Sequence, residues 1–223
     1  MIRFGQLLQV MVLILICGTA WASSIGIAVG NPDFATPTVA CTLHYAYQGS
    51  LGCGAGVPYQ DFNGTSGFDW TFGAGGNGLT GPGTAFNPPG FGGFTQAAFL
   101  QGDTASVSQL LTGPAGIWTV SFYLGSRYAS GGYDGNQTVE VLLDGQDVGT
   151  YALSSYTPFA LETTSPLTLG AGSYNLEFEG TASGDHTAFV SGVSASAQVP
   201  EPVSFALLGA GLIGLGLLRR RAA

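Results

Sequence analysis

Few side chains in this sequence are equipped for chemistry, and most of those lie between residues 123 and 136. Arg127 has Tyr123, Tyr128 and Tyr133 nearby, and Asp134-Gly135-Asn136 follows at once. A guanidinium grips paired hydroxyls or an anionic group with its fork of N–H donors, and tyrosine rings offer flat amphipathic surfaces beside it. The same arginine is equally suited to pairing with a carboxylate of its own domain and so holding the loop after a strand. Asp134 and Asn136 carry oxygens of the kind calcium prefers, without the full ligand spacing of an EF-hand. The candidate ligand-binding residues are therefore Tyr123, Arg127, Tyr128, Tyr133 and Asp134. No cofactor is expected, and a structural calcium is the open alternative.

Signals for catalysis are weak. His44 and His186 are the two histidines, and His186 follows Asp185, so a Ser-His-Asp arrangement can be drawn on paper. No Gly-x-Ser-x-Gly elbow is present to hold a nucleophile. Glu177 and Glu179 alternate onto one strand face, which suits a solvated surface better than the paired carboxylates of glycoside cleavage. The absence of lysine removes lysine phosphate loops and Schiff-base chemistry. Trp70 is expected in a core in preference to a sugar-stacking platform. No catalytic residue is assigned, and the expectation is a non-enzymatic protein. Cys17 falls in the N-terminal segment expected to be removed, leaving Cys41 and Cys53 as a pair. In an oxidising compartment these two are expected to form a disulfide worth about 2–3 kcal/mol. The rival, a metal site with His44, lacks further cysteines.

Strands must position these residues. Ile117 to Leu124 puts Trp118, Val120, Phe122 and Leu124 on one face, Thr138 to Leu143 does the same with Val139, Val141 and Leu143, and Ser173 to Glu179 with Tyr174, Leu176 and Phe178. Such period-two alternation marks half-buried antiparallel strands. Asp144-Gly145 between Leu143 and the alternating run from Val148 predicts a hairpin. Short strands separated by Gly and Pro turns, with no helical period, predict an all-β antiparallel sandwich, with a jelly roll as first choice. Asn63 to Gly93 is so rich in glycine that it is expected to form a long ordered loop carrying one short strand, Phe68 to Phe72.

The chain ends differ from this domain. Met1-Ile2-Arg3, an apolar run from Leu7 to Ile16 and Ala20-Trp21-Ala22 form a signal peptide over 1–22, with cleavage after Ala22 at the small residues Ala20 and Ala22. At the other end Val203 to Leu218 is uncharged and precedes Arg219-Arg220-Arg221. As a helix it would be about 24 Å long, short for a hydrocarbon core of about 30 Å, so it needs snorkelling arginines or local thinning. The arginines keep its end cytoplasmic, which makes the precursor anchored in the inner membrane. Of thirteen Asp and Glu against five Arg, all the Arg but Arg127 lie in these terminal segments. The domain between them, 23–198, is strongly acidic, so nucleic acid is excluded as a partner.

Pro200-Glu201-Pro202, the short glycine-rich span and the terminal arginines closely resemble the PEP-CTERM sorting signal of Gram-negative bacteria that make exopolysaccharide. That resemblance implies a sorting region over 199–223, with Pro200, Glu201, Pro202 and Arg219, Arg220, Arg221 as its recognition residues. Its processing partner would be an exosortase, the membrane contact would be transient, and the destination the cell surface or the extracellular, biofilm-forming matrix. Between the ends, Phe94-Thr95-Gln96-Ala97-Ala98-Phe99-Leu100-Gln101, Ala115 to Phe122, Val141-Leu142-Leu143-Asp144-Gly145, Gly172 to Gly180 and Thr187-Ala188-Phe189-Val190 resemble galactose-binding-like jelly rolls, over roughly residues 31–196. Ser191 and Gly192 stand where the last strand of such domains often carries Asp. The resemblance implies carbohydrate or exopolysaccharide association without catalysis. An extracellular glycan hydrolase and a purely structural matrix protein are the alternatives.

Overall fold

The structure, a computed structural model, describes residues 22–38, 46–47, 66–81, 93–200, 209, 211 and 219. Gly26–Ala197 forms one compact unit, and Met1–Ile25 with Gln198–Ala223 a second. Strands dominate the described residues: β1 (Ala22–Ile27), β2 (Ala46–Tyr47), β3 (Thr71–Phe72), β4 (Gly76–Thr80), β5 (Ala97–Gln101), β6 (Ser106–Gly113) and β7 (Gly116–Ser126) come first. They are followed by β8 (Thr138–Leu143), β9 (Gln146–Ala152), β10 (Ala160–Thr163), β11 (Leu167–Leu169), β12 (Gly172–Gly180) and β13 (Thr187–Pro200). The larger sheet runs β10-β7-β13-β5-β4-β2, with β1 also on β13 and β11 also on β7. The smaller runs β3-β6-β12-β8-β9.

Alternation explains how the two sheets meet. Along β7 the side chains of Trp118, Val120, Phe122 and Leu124 are buried, while Thr119, Ser121 and Tyr123 are only partly covered. Val139, Val141 and Leu143 of β8 and Leu176 and Phe178 of β12 are buried in the same two-residue rhythm. Rings from the two sheets lock together: Phe122 stands edge-on to Phe178 at 4.9 Å and to Tyr151 at 5.3 Å, and Trp118 to Tyr174 at 5.4 Å. Such aromatic pairs contribute about 0.5–1.5 kcal/mol each beyond their buried area. The result is the expected antiparallel sandwich. The hairpin at Asp144-Gly145 is also present, both residues having positive φ (54° and 74°), as the tightest two-residue turn requires.

The glycine-rich segment departs from expectation. β3 is shorter than the predicted Phe68–Phe72 strand, and Gly76–Thr80 forms a second strand that sits inside the larger sheet between β5 and β2. The reason is close approach. Gly75 has φ of 85°, and a Cβ there would lie 2.7 Å from the backbone nitrogen of Ala105. Glycine is what lets the chain enter the sheet at that point. The Asn77 side-chain amide then donates to the carbonyls of Gly73 and Ala74 at 3.2 and 2.8 Å, fixing the bend.

Around Trp70 the core is closed by the segment after β1. Trp70 is 1% exposed, packs against Phe34 at 4.7 Å and Phe178 at 6.2 Å, and donates its indole N–H to the Asn31 carbonyl at 3.0 Å. It is a core residue, as expected. Of the proposed terminal signals, Ala22 opens β1, Pro200 ends β13, and Arg219 is exposed. Ala20, Glu201, Pro202, Arg220 and Arg221 lie outside the described residues, as do Cys41, Cys53 and His44. Among the described residues no helix is long and apolar enough to cross a membrane.

Candidate functional site

Where β7 ends, the chain turns into a loop held by backbone bonds on both sides. Arg127 donates its N–H to the Thr187 carbonyl at 3.1 Å and accepts at its own carbonyl from the Tyr156 N–H at 2.8 Å. Its side chain is drawn inward and is only 7% exposed. One guanidinium nitrogen donates to Asp185 Oδ1 at 3.2 Å, and the guanidinium carbon lies 3.6 Å from the centre of the Tyr133 ring. Gln101 also bonds the Asp185 carboxylate. Arg127 thus pairs with a carboxylate of its own domain in this structure. The arginine is a strut, stacked on an aromatic face in a common cation–π geometry.

Asp134 completes the strut. Its carboxylate bonds the His186 ring at Nδ1 and accepts from the Asn136 N–H at 2.8 Å and the Asn136 side-chain amide at 2.7 Å. Burial pushes this carboxyl up, but the bonds from His186 and Asn136 outweigh it and leave Asp134 below the usual aspartate value. Both of its oxygens are thus engaged by nitrogen donors. That donor set does not fit calcium, which needs oxygens turned toward a shared centre. Among the described residues, no three His, Cys, Asp or Glu converge on a metal-sized space. Asp134 and His186 form a dyad, yet among the described residues no hydroxyl bonds the imidazole.

Tyr128 and Tyr133 meet across a tight turn. Ser130 and Tyr133 exchange backbone bonds of 3.0 and 3.1 Å around Gly131 and Gly132, which both have positive φ. The two rings stand edge to face at 6.1 Å with their hydroxyls 3.4 Å apart. That contact raises the Tyr128 phenol and, together with Ser130, lowers that of Tyr133. Both rings are half-exposed.

Tyr156, which the sequence did not single out, joins this end of the sandwich. It is 62% exposed and has φ of 65°, a left-handed conformation rare for a bulky side chain. Every neighbour holds it there. Ser155 N–H donates to Asn136 Oδ1 at 3.0 Å, Thr157 N–H to Ser126 Oγ at 2.9 Å, and Ser126 Oγ to the Ser154 carbonyl at 2.6 Å. The only sequence signal was a tyrosine amid Ser154-Ser155-Thr157-Pro158, in a stretch with no strand period.

Tyr123 lies elsewhere. It is on the outer face of the larger sheet, edge-on to Phe94 at 5.0 Å and directly across from Leu161, which is 58% exposed. Below it on that face Ser121 Oγ bonds Thr163 Oγ1 at 2.8 Å, Thr119 bonds Ser196 at 3.3 Å, and Ser194 donates to the Ser121 carbonyl at 3.3 Å. The outer face of the smaller sheet is different in kind. Glu179 sits directly opposite Glu140, with Glu177 two residues along the same strand. Burial first, then those two carboxylates, pushes Glu179 above the usual glutamate value. An open cleft of about 430 Å³ beside this face is lined by Gly30, Asp69, Thr71, Ser108, Leu110 and Asn175 among others. Gln109 at its floor is spent on the backbone of Gly30 and Asp69.

Comparison with known proteins bears on both ends of the argument. Residues 198–221 match the PEP-CTERM protein-sorting motif, so the chain carries a C-terminal sorting signal of the class that directs proteins to the cell surface. No curated protein sequence matches the chain. Among solved structures the chain is similar to a cyclase from Fischerella sp. TAU at 16% identity, covering 81% of this chain and 100% of that one with a TM-score of 0.51. It is also similar to the carbohydrate-binding module CBM36 in complex with calcium and xylotriose (17% identity, 58% and 94% covered, TM-score 0.43). A third is TmCBM61 in complex with beta-1,4-galactotriose (12% identity, 61% and 94% covered, TM-score 0.38). At these identities the likeness is one of fold, and fold does not assign chemistry.

Proposed function

We propose that this is an exported, exosortase-sorted surface or extracellular-matrix protein whose sandwich associates with glycan and does not catalyse. The observation that carries this reading is the loop end. Tyr133 stacks on a buried arginine whose charge is already matched, Tyr128 meets Tyr133 edge to face, and exposed Tyr156 is tied by its backbone N–H to the same arginine's carbonyl, on loops held by backbone hydrogen bonds. Rigid, half-exposed aromatic rings stack on sugar C–H faces at little entropic cost, and their hydroxyls bond sugar oxygens at the rim. A hydrolase would need two opposed carboxylates or an activated nucleophile, and here the carboxylates of Asp134 and Asp185 are tied to His186 and Arg127. A sorting signal of this class supports the reading, since an exported module of this kind would meet surface or matrix glycan.

The test is a glycan array probed with the full chain, with and without calcium, beside Tyr133→Ala and Tyr156→Ala. Saturable binding that falls about 3- to 10-fold in each variant is expected, from the usual worth of one aromatic contact. Binding to no glycan, or turnover of one, defeats the reading.

A further inference from the structure

The outer face of the larger sheet carries no acid, no arginine and no histidine at its strand positions on β7, β10, β11 and the second half of β13. On a chain with thirteen acidic residues this is a local exclusion of charge, because the opposite face gathers Glu140, Glu177 and Glu179. In place of charge there are cross-strand hydroxyl rows, Ser121 with Thr163 and Thr119 with Ser196. Each hydroxyl bonded to its neighbour keeps a further donor or acceptor position for a partner. At one end the rows give way to Phe94, Tyr123 and exposed Leu161. Gly192 is part of this design: a Cβ there would strike the Phe94 ring at 2.5 Å and Tyr123 at 3.0 Å, so glycine is what lets the two rings lie on the sheet.

We infer that this face is the floor on which a neutral polysaccharide chain lies. The inference rests on the glycan-binding reading above and names its substrate class. An anionic polymer gains nothing from a face without cations and is repelled by the rest of the acidic domain. A protein partner is a poorer match, because interface cores are depleted in serine, and Ser and Thr are rare among binding hot spots. A neutral glycan offers hydroxyls to the rows and C–H faces to the rings. The apolar end also points toward the tyrosine loops. β7 runs from Ile117 past Tyr123 into Arg127, about 13 Å farther at about 3.3 Å per residue. One chain would thus meet the loop tyrosines first and the hydroxyl rows after them.

The experiment is native gel electrophoresis of the full chain, in a polyoxyethylene detergent, through gels containing mixed-linkage β-glucan, galactan or galactomannan, with alginate as the anionic comparison. Thr163→Glu and Ser194→Glu place one charge on the face, and Asn175→Glu places the same charge on the opposite sheet. All three positions are exposed, and unchanged unfolding midpoints verify the fold. Leu161→Ala serves should either glutamate variant fail to fold. Retardation by a neutral polymer, weakened about tenfold by the two face variants and untouched by Asn175→Glu, is the expected result. Retardation that survives both face variants but is lost in Tyr133→Ala overturns this inference and leaves the glycan-binding reading intact. Retardation by no neutral polymer overturns both. Stronger retardation by alginate, or a dimer dissolved by Thr163→Glu, also overturns the inference.

Discussion

The two outer faces of the sandwich are built on the same two-residue rhythm and end with opposite chemistry. The smaller sheet points Glu140, Glu177 and Glu179 outward, with like charges directly across from each other on β8 and β12. The larger sheet points serine, threonine and a pair of aromatic rings outward. The first arrangement gives up some stability for solvation, since opposed like charges in a sheet cost about 0.2–1 kcal/mol. The second satisfies its hydroxyls locally without any charge; exposed apolar area and a hydroxyl pair occur on both faces, Leu110 and Thr112–Ser173 on the smaller sheet, so it is charge that separates the two. The difference teaches that the acidity of this chain is segregated, so net charge alone describes neither face.

The comparison can be broken or sharpened in four ways. The largest effect is expected from Gly192→Ala on the uncharged face. Its φ of 60° and the approach to Phe94 together should cost about 2–3 kcal/mol in denaturant unfolding. On the acidic side Gly145→Ala, with φ of 74° and open space around it, should cost only about 1 kcal/mol. Equal costs would show that the Phe94–Tyr123 platform is loose. A smaller effect of opposite sign is expected from Glu179→Gln, a gain of about 0.5 kcal/mol read as a higher unfolding midpoint.

The smallest effect is in pH. Because the folded state raises the Glu179 carboxyl, native protein holds that proton at a pH where the unfolded chain has lost it. Stability from this group is therefore fully present below the unfolded glutamate value and lost as pH rises through the raised one. Asp134 at the loop end acts the other way: its lowered carboxyl contributes stability above the unfolded aspartate value, lost as pH falls toward the folded one. Glu179→Gln should remove the downward slope on the mildly acidic side and leave the acid limb intact, whereas Asp134→Asn should flatten the acid limb. Unfolding midpoints measured from pH 3 to 7 check both signs; a Glu179→Gln profile parallel to the wild type would contradict the face assignment.

How much of this was legible in the sequence follows from where side chains carry the signal. β7, β8 and β12 could be read because burial on one side of a strand imprints period two on residue type, and Trp70 because an aromatic among such strands is usually packed. β4 could not, because its fit depends on missing side chains: Gly75 passes the Ala105 backbone too closely for any Cβ. Grouping Tyr123 with Arg127 failed for a geometric reason. Tyr123 still belongs to the sheet and points off its outer face, whereas Arg127 lies past the strand end, where bonds to Thr187 and Tyr156 turn it inward. Tyr156 left only the weak signal of a tyrosine in a turn-rich stretch, since the conformation that exposes it is held by tertiary bonds of its neighbours to Ser126 and Asn136. The sorting motif was fully legible because it is read as a linear sequence.

The most direct test of the central claim is the salt dependence of binding to a neutral glycan, followed by calorimetry of the full chain with mixed-linkage β-glucan, galactan and galactomannan. If the uncharged face and the tyrosine loops carry the contact, affinity for the polymer that binds should change less than about twofold between 50 and 500 mM salt, since screening has no charge pair to weaken. An affinity that falls about tenfold over that range, or no heat with any of the three, would contradict the account.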